Sequence, residues 1–105
     1  MAGSSPVTTT YEFEWDEAKA LANERKHGIG FEVAMSVFLD PLALTLFDEE
    51  HSEDEERWVT IGEARNGDAV VVVHTFTPTG TDTALIRIIS ARAPTRREMQ
   101  TFREG

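Results

Sequence analysis

Arg87 and Arg92 sit where an apolar strand pattern should exclude charge. The stretch Ala84–Glu98 reads ALIRIISARAPTRRE, with Arg87 inside the apolar run and Arg92 at its end. A charge beside a core strand is costly unless it is paired or has a task. A guanidinium can meet a carboxylate. It can also hold phosphate oxygens through a planar fork, charged at any working pH. Side chains alternate faces along a strand. Arg87 is therefore expected to share a face with Leu85 and Ile89, and Arg92 the opposite face with Ile86, Ile88 and Ser90. Pairing with a carboxylate at a sheet margin is the commoner fate of a single such arginine. Among groups that could move a proton, His27 is the best by intrinsic pKa. Lys26 and Glu56 could serve with a shifted one. The spacing of the three histidines, His27, His51 and His74, suggests no metal site.

Several elements must position these groups. Tyr11-Glu12-Phe13-Glu14-Trp15 alternates aromatic and acidic residues and reads as a short strand with one buried face. Trp15 closes it, a place where an aromatic is more often core. Asp16 is the expected N-cap of a helix from Glu17 to about His27, with Ala18, Leu21 and Ala22 as its apolar stripe. Gly28 ends that helix, since glycine adopts the left-handed conformation without a Cβ clash. Lys26 and His27 then lie in the last turn, where the helix dipole favours cations. Phe31, Ala34, Met35 and Phe38 recur at helical spacing and predict a second helix, stopped by Asp40-Pro41.

Leu42–Phe47 is a short strand candidate. Asp48–Glu56 (DEEHSEDEE) is an acidic loop without the glycine and spacing of a calcium loop. A strand opens at Arg57. Asn66-Gly67 predicts a type I′ hairpin turn. The return strand Ala69–Thr75 is apolar on both faces, so it should be central. His74 on it reads as a hydrogen-bonded core histidine, and His51 as exposed and incidental. Thr77–Asp82 is the next turn, and Ala84–Arg92 the final strand. Thr95-Arg96-Arg97-Glu98 matches a capping box that opens a terminal helix with Met99 and Phe102 facing inward. The fold class is α+β: a short N-terminal strand, two helices, an antiparallel meander of three or four strands and a C-terminal helix, with the helices mainly on one side. Residues 1–10 read as a flexible leader and residues 11–105 as a single domain.

Composition bounds the function. A chain of 105 residues allows one core, and 40% apolar content is that of a folded domain. The absence of cysteine excludes a thiol nucleophile, a zinc-thiolate site and a disulfide scaffold, and it fits a cytoplasmic protein. No apolar run approaches the ~20 residues that span a bilayer, so no membrane partner is expected. Net charge is −9 and uneven. Residues 85–105 carry five arginines against two glutamates, leaving −12 for residues 1–84. Nucleic acid is repelled at long range by such a chain, yet a local basic patch can bind phosphate at short range. The acidic remainder fits a basic partner or simple solubility.

Three stretches carry a resemblance: FEWDEAKALANERKHGIGFEVAMSVFLDP (Phe13–Pro41), EERWVTIG (Glu55–Gly62) and IRIISARAPTRRE (Ile86–Glu98). In order and spacing they resemble the BrnT family, toxins of type II toxin–antitoxin pairs. The resemblance implies a RelE-like ribonuclease fold and RNA cleavage. It also implies neutralisation by a BrnA-like antitoxin with a ribbon-helix-helix domain, so that DNA is met only through the antitoxin. RNA can be cut without metal or cofactor by activating a ribose 2′-OH against its own phosphate. That requires a proton acceptor, cationic stabilisation of the transition state and help for the leaving oxygen. On the matching positions, Arg92 and Arg57 would stabilise the transition state. His27, Lys26 or Glu56 would move the proton. Arg87, Arg96 and Trp15 would bind substrate, Trp15 by stacking a base. The alternative is a BrnT-like module that has lost catalysis and retains antitoxin binding.

Overall fold

The structure is a computed structural model and describes residues 10–104. The proposed leader therefore lies outside the described residues, apart from Thr10, which opens the first strand. In chain order the elements are β1 (Thr10–Glu14), α1 (Glu17–His27) and α2 (Phe31–Met35). A 3-10 turn, Ser36–Leu39, continues α2. Then come β2 (Leu44–Phe47), β3 (Trp58–Glu63), β4 (Ala69–His74), β5 (Thr77–Pro78), β6 (Thr83–Arg92) and α3 (Arg96–Glu104). One mixed sheet runs β1-β6-β4-β3-β2, with β5 paired to β6. Only β1 lies parallel to its neighbour, with Phe13 opposite Ile86 and Glu14 opposite Arg87. β4 is the middle strand, and Val70, Val71 and Val72 are all buried, as its two-sided apolar pattern requires.

The core lies between α1, α2 and one sheet face. Phe31, Ala34 and Val37 from the helical side meet Val70, Val72, Ile86, Ile88 and Ala91. The 3-10 turn has three residues per turn. It therefore brings Val37 inward at i+6, while Met35 and Phe38 pack at the margin. Gly62 on β3 makes this approach possible, because a Cβ there would stand 2.8 Å from a Val37 methyl.

The α1 stripe differs from expectation. Ala18, Leu21 and Ala22 face solvent, and the inward residues are Ala20 and Asn23. Asn23 is the reason for the rotation. Its Nδ2 donates to Ile29 O (3.1 Å) and Ala91 O (2.9 Å), and its Oδ1 accepts from Ala91 N (3.1 Å). β1 stops opposite Arg87, so the side-chain amide completes the strand pairing where β1 has ended. Losing it would leave buried backbone groups of Ala91 unpaired, at a cost of about 1–3 kcal/mol.

The β3–β4 turn is also of another type. Gly67 has φ +88°, while Asn66 keeps a negative φ, so a type I′ turn is excluded. Gly67 N donates to Ala64 O (2.9 Å) and Ala64 N to Asp68 O (2.8 Å). That is a three-residue loop closed by a left-handed glycine. Both helix caps on the sequence hold: Asp16 accepts from Lys19 N at 3.0 Å, and Gly28 has φ +73°.

Candidate functional site

A β-bulge decides where the strand arginines point. Along β4 and β6, His74 stands opposite Ile88 and Val73 opposite Ser90, so β6 carries one extra residue there. The extra residue reverses the alternation. Ile88 and Ala91 both face the helices, and Arg87 and Arg92 both lie on the other face. The expectation of opposite faces is corrected by that single residue. The two arginines are nonetheless separated by roughly 16 Å at about 3.3 Å per strand residue.

Arg57 and Arg87 meet. Arg57 immediately precedes β3 and is pinned by its backbone: its N donates to Ser52 Oγ (3.0 Å), and its O accepts from Asp48 N (2.9 Å). Arg87 is held on β6 by exchange with Thr75, whose N donates to Arg87 O (3.0 Å) and whose Oγ1 accepts from Arg87 N (3.2 Å). Both side chains line an open pocket of about 280 Å³ with Asp16, Lys19 and Glu55 above Ile88 and Ile89. Arg57 Nε is buried without a hydrogen-bond partner. Arg87 Nη2 donates to Glu55 Oε1. Three cations and two carboxylates thus surround one pocket, an arrangement able to hold a phosphate once a carboxylate yields.

Arg92 is held differently. Its Nη1 and Nη2 donate to the two oxygens of Glu98 at 2.7 and 3.0 Å. Glu98 also accepts from Thr95 N (2.8 Å), and Thr95 Oγ1 accepts from Glu98 N (3.1 Å), which is the expected capping box. The bidentate bond to Arg92 leads the lowering of the Glu98 pKa from 4.5 to about 2. The same bond raises that of Arg92. α3 returns beside β3, on the face that also carries Ile61 and Val71.

The remaining candidates are scattered. His27 lines a separate cavity of about 400 Å³ with Asn66, Asp68 and Ala93. Lys26 and Arg96 are exposed, in the last turn of α1 and the first turn of α3. Lys19 and His27 are eight positions apart on α1, a rise of about 12 Å. His27 and Lys26 therefore stand away from the Arg57–Arg87 pocket. Glu56 is exposed beside Arg57. Trp15 packs on Phe31 with ring centroids 6.1 Å apart, and its Nε1 donates to Glu17 Oε1 (2.9 Å), so it serves the core margin. His74 is buried and its pKa is lowered by that burial. Its Nδ1 donates to Thr75 O (2.8 Å), and its Nε2 accepts from Thr60 Oγ1 (2.7 Å). His51 is exposed beside Asp48. Lys19 and Glu55 were not singled out by sequence reasoning; their signal was membership of the two motif stretches that begin at Phe13 and Glu55. Among the described residues no group of three or more His, Asp or Glu side chains is placed to hold a metal, and no helix is long and apolar enough to cross a membrane.

Comparison with known proteins adds an independent line. Residues 15–98 match the family model of the ribonuclease toxin BrnT of type II toxin–antitoxin systems. Among solved structures, the chain is similar to the Brucella abortus ribonuclease toxin BrnT. Identity is 27% and the TM-score 0.52, over 83% of this chain and all of that one. No curated protein matches.

Proposed function

We propose that this chain, which belongs to the BrnT family of ribonuclease toxins of type II toxin–antitoxin systems, cuts RNA at the Arg57–Arg87 pocket without a metal. The observation that carries this reading is convergence. Arg57 just before β3 and Arg87 on β6, with Lys19 from α1, line one open pocket. Arg57 and Arg87 hold the scissile phosphate and stabilise the charge that builds on its oxygens. Glu56 takes the proton of the ribose 2′-OH as that oxygen attacks phosphorus. Lys19 gives a proton to the departing 5′-oxygen as the P–O5′ bond breaks. The products are a 2′,3′-cyclic phosphate and a 5′-hydroxyl. Lys26, His27 and Arg96 contact the RNA backbone beyond the scissile phosphate. Arg92, held by Glu98, orients α3.

The test is cleavage of an RNA oligonucleotide in excess EDTA. Expected are cyclic-phosphate ends, and no cleavage when the nucleotide 5′ of the cut lacks its 2′-OH. Activity abolished by the chelator and restored by one divalent ion would reject the mechanism.

The partner in this reading is a BrnA-like antitoxin with a ribbon-helix-helix domain, and the protein works in the cytoplasm. The uneven charge supports a partner of mixed surface, acidic toward the arginines and basic toward residues 1–84. Such complementarity accelerates encounter more than it adds affinity. Stopped-flow mixing should therefore show association slowing as salt rises from about 0.1 M to 1 M, with dissociation little changed. A flat association rate would reduce the charge asymmetry to a solubility feature.

A further inference from the structure

The acidic loop does not merely flank the pocket; one of its side chains enters it. Seven carboxylates stand between Asp48 and Glu56. Within this run, Glu55 is the side chain that reaches a guanidinium, Arg87 Nη2, on a strand 32 positions later. It does so inside the pocket that Arg57, Lys19 and Asp16 line. A carboxylate oxygen on a guanidinium is the nearest protein counterpart of a phosphate oxygen on the same group.

We infer that Glu55 is a built-in competitor of the RNA phosphate, so that the acidic loop masks the substrate site of the free protein. The inference rests on the Arg57–Arg87 pocket being the phosphate site. Its geometry suits a mask rather than a brace. The pair joins side chains that are 42% and 43% exposed, through one guanidinium nitrogen and one carboxylate oxygen. An exposed pair of this kind is weak and opens readily. The ends of the loop are tied by Asp48 N donating to Arg57 O, and Ser52 Oγ inside it accepts from Arg57 N, bonds that do not involve Glu55. Glu55 can therefore swing away without loss of the strand that carries Arg57. While it is in place, the fraction of molecules able to accept phosphate is reduced, and the apparent affinity for RNA falls by that fraction.

The experiment measures binding of a 2′-O-methyl oligoribonucleotide, which cannot be cut, at one low salt concentration. The full chain is compared with Glu55→Gln, Glu53→Gln and Arg57→Gln. Glu55→Gln should bind about two- to fivefold more tightly, the range set by the strength of an exposed ion pair. Glu53→Gln removes the same charge from the same loop without touching Arg87, and its affinity should change by less than half as much. Equal gains from both variants would overturn the mask, leaving only bulk charge. An unchanged or weaker Glu55→Gln would overturn it too, making Glu55 a brace for Arg87. Arg57→Gln should bind more weakly than the parent. If it binds equally well, the pocket is not the phosphate site, and that failure is distinct because it appears without any change at Glu55.

Discussion

Arg87 and Arg92 stand on one strand and one face, yet they are held in different ways. Arg92 meets a carboxylate six positions later, through two nitrogens and two oxygens, and that carboxylate also caps α3. Arg87 meets a carboxylate 32 positions earlier, through one contact, near the C-terminal end of an acidic loop. The first pair is local and part-buried, and it is knitted into a helix start. Its partner cannot leave without loosening α3. The second pair joins two exposed side chains that line a pocket, through a single contact. Residue type is identical at the two positions. What separates the two arginines is how many other bonds the partner carboxylate makes.

The largest test of that contrast is catalytic. Arg57→Ala or Arg87→Ala should lower RNA cleavage by about 10²–10³-fold, the scale of one lost charge-stabilising donor, with thermal melting little changed. Arg92→Ala should stay within about tenfold of the parent if its role is to place α3. A purified Arg57→Ala protein that melts normally and cuts RNA at the parent's rate would break the comparison at once.

The second test reads stability at the Arg92 end. Arg92→Ala leaves Glu98 in its capping box but removes a bidentate partner. Allowing for solvent around a partly buried pair, the loss should be about 1–2 kcal/mol. That corresponds to a melting temperature lower by roughly 5–10 °C for a domain of this size. Arg87→Ala should move it far less.

Acid unfolding separates the Arg92 end from the core. Glu98 has a folded pKa of about 2 against 4.5 for an ordinary glutamate. Its contribution is complete above pH 4.5 and is lost as pH falls toward 2. Glu98→Gln should flatten the stability profile inside that window. His74 acts at higher pH. Burial lowers its pKa from 6.5, so the folded state resists protonation and loses stability as pH drops below 6.5. A Glu98→Gln profile unchanged between pH 4.5 and 2 would show that the Arg92–Glu98 pair does not hold the fold.

Local signals in the sequence were legible where one residue decides one conformation. Asp16 and Gly28 bound α1 at both expected ends, Thr95 and Glu98 form the capping box, and the two-sided valine run of β4 lies mid-sheet. The α+β class and the family resemblance were carried by the same patterns. Signals that depend on a distant partner were not legible. α1 is rotated because Asn23 reaches Ala91, 68 positions away, and a polar residue outranks the alanines and leucine of the apparent stripe. Strand alternation places Arg87 and Arg92 on opposite faces because it assumes an unbroken ladder, and the bulge that reverses it shows only in the pairing of β4 with β6. Arg57 and Arg87 approach each other only once β3, β4 and β6 are laid side by side. For the same reason Arg57 and Arg92, paired on sequence grounds, do not share a pocket.

The smallest expected effect is the sharpest discriminator, because it compares the two pairs in one currency. A double-mutant cycle on Arg87 and Glu55 should give a coupling of about 0.2–1 kcal/mol in folding stability, the range of exposed ion pairs. The same cycle on Arg92 and Glu98 should give a larger value, because each partner there is more enclosed and the two make paired bonds. The order of the two couplings matters more than either value. An exposed carboxylate that contributes little to folding is free to be displaced by substrate, whereas one that contributes much is committed to the scaffold. Should the Arg87–Glu55 coupling equal or exceed that of Arg92–Glu98, Glu55 would be a structural residue, and the pocket it closes would have to open by moving more than one side chain.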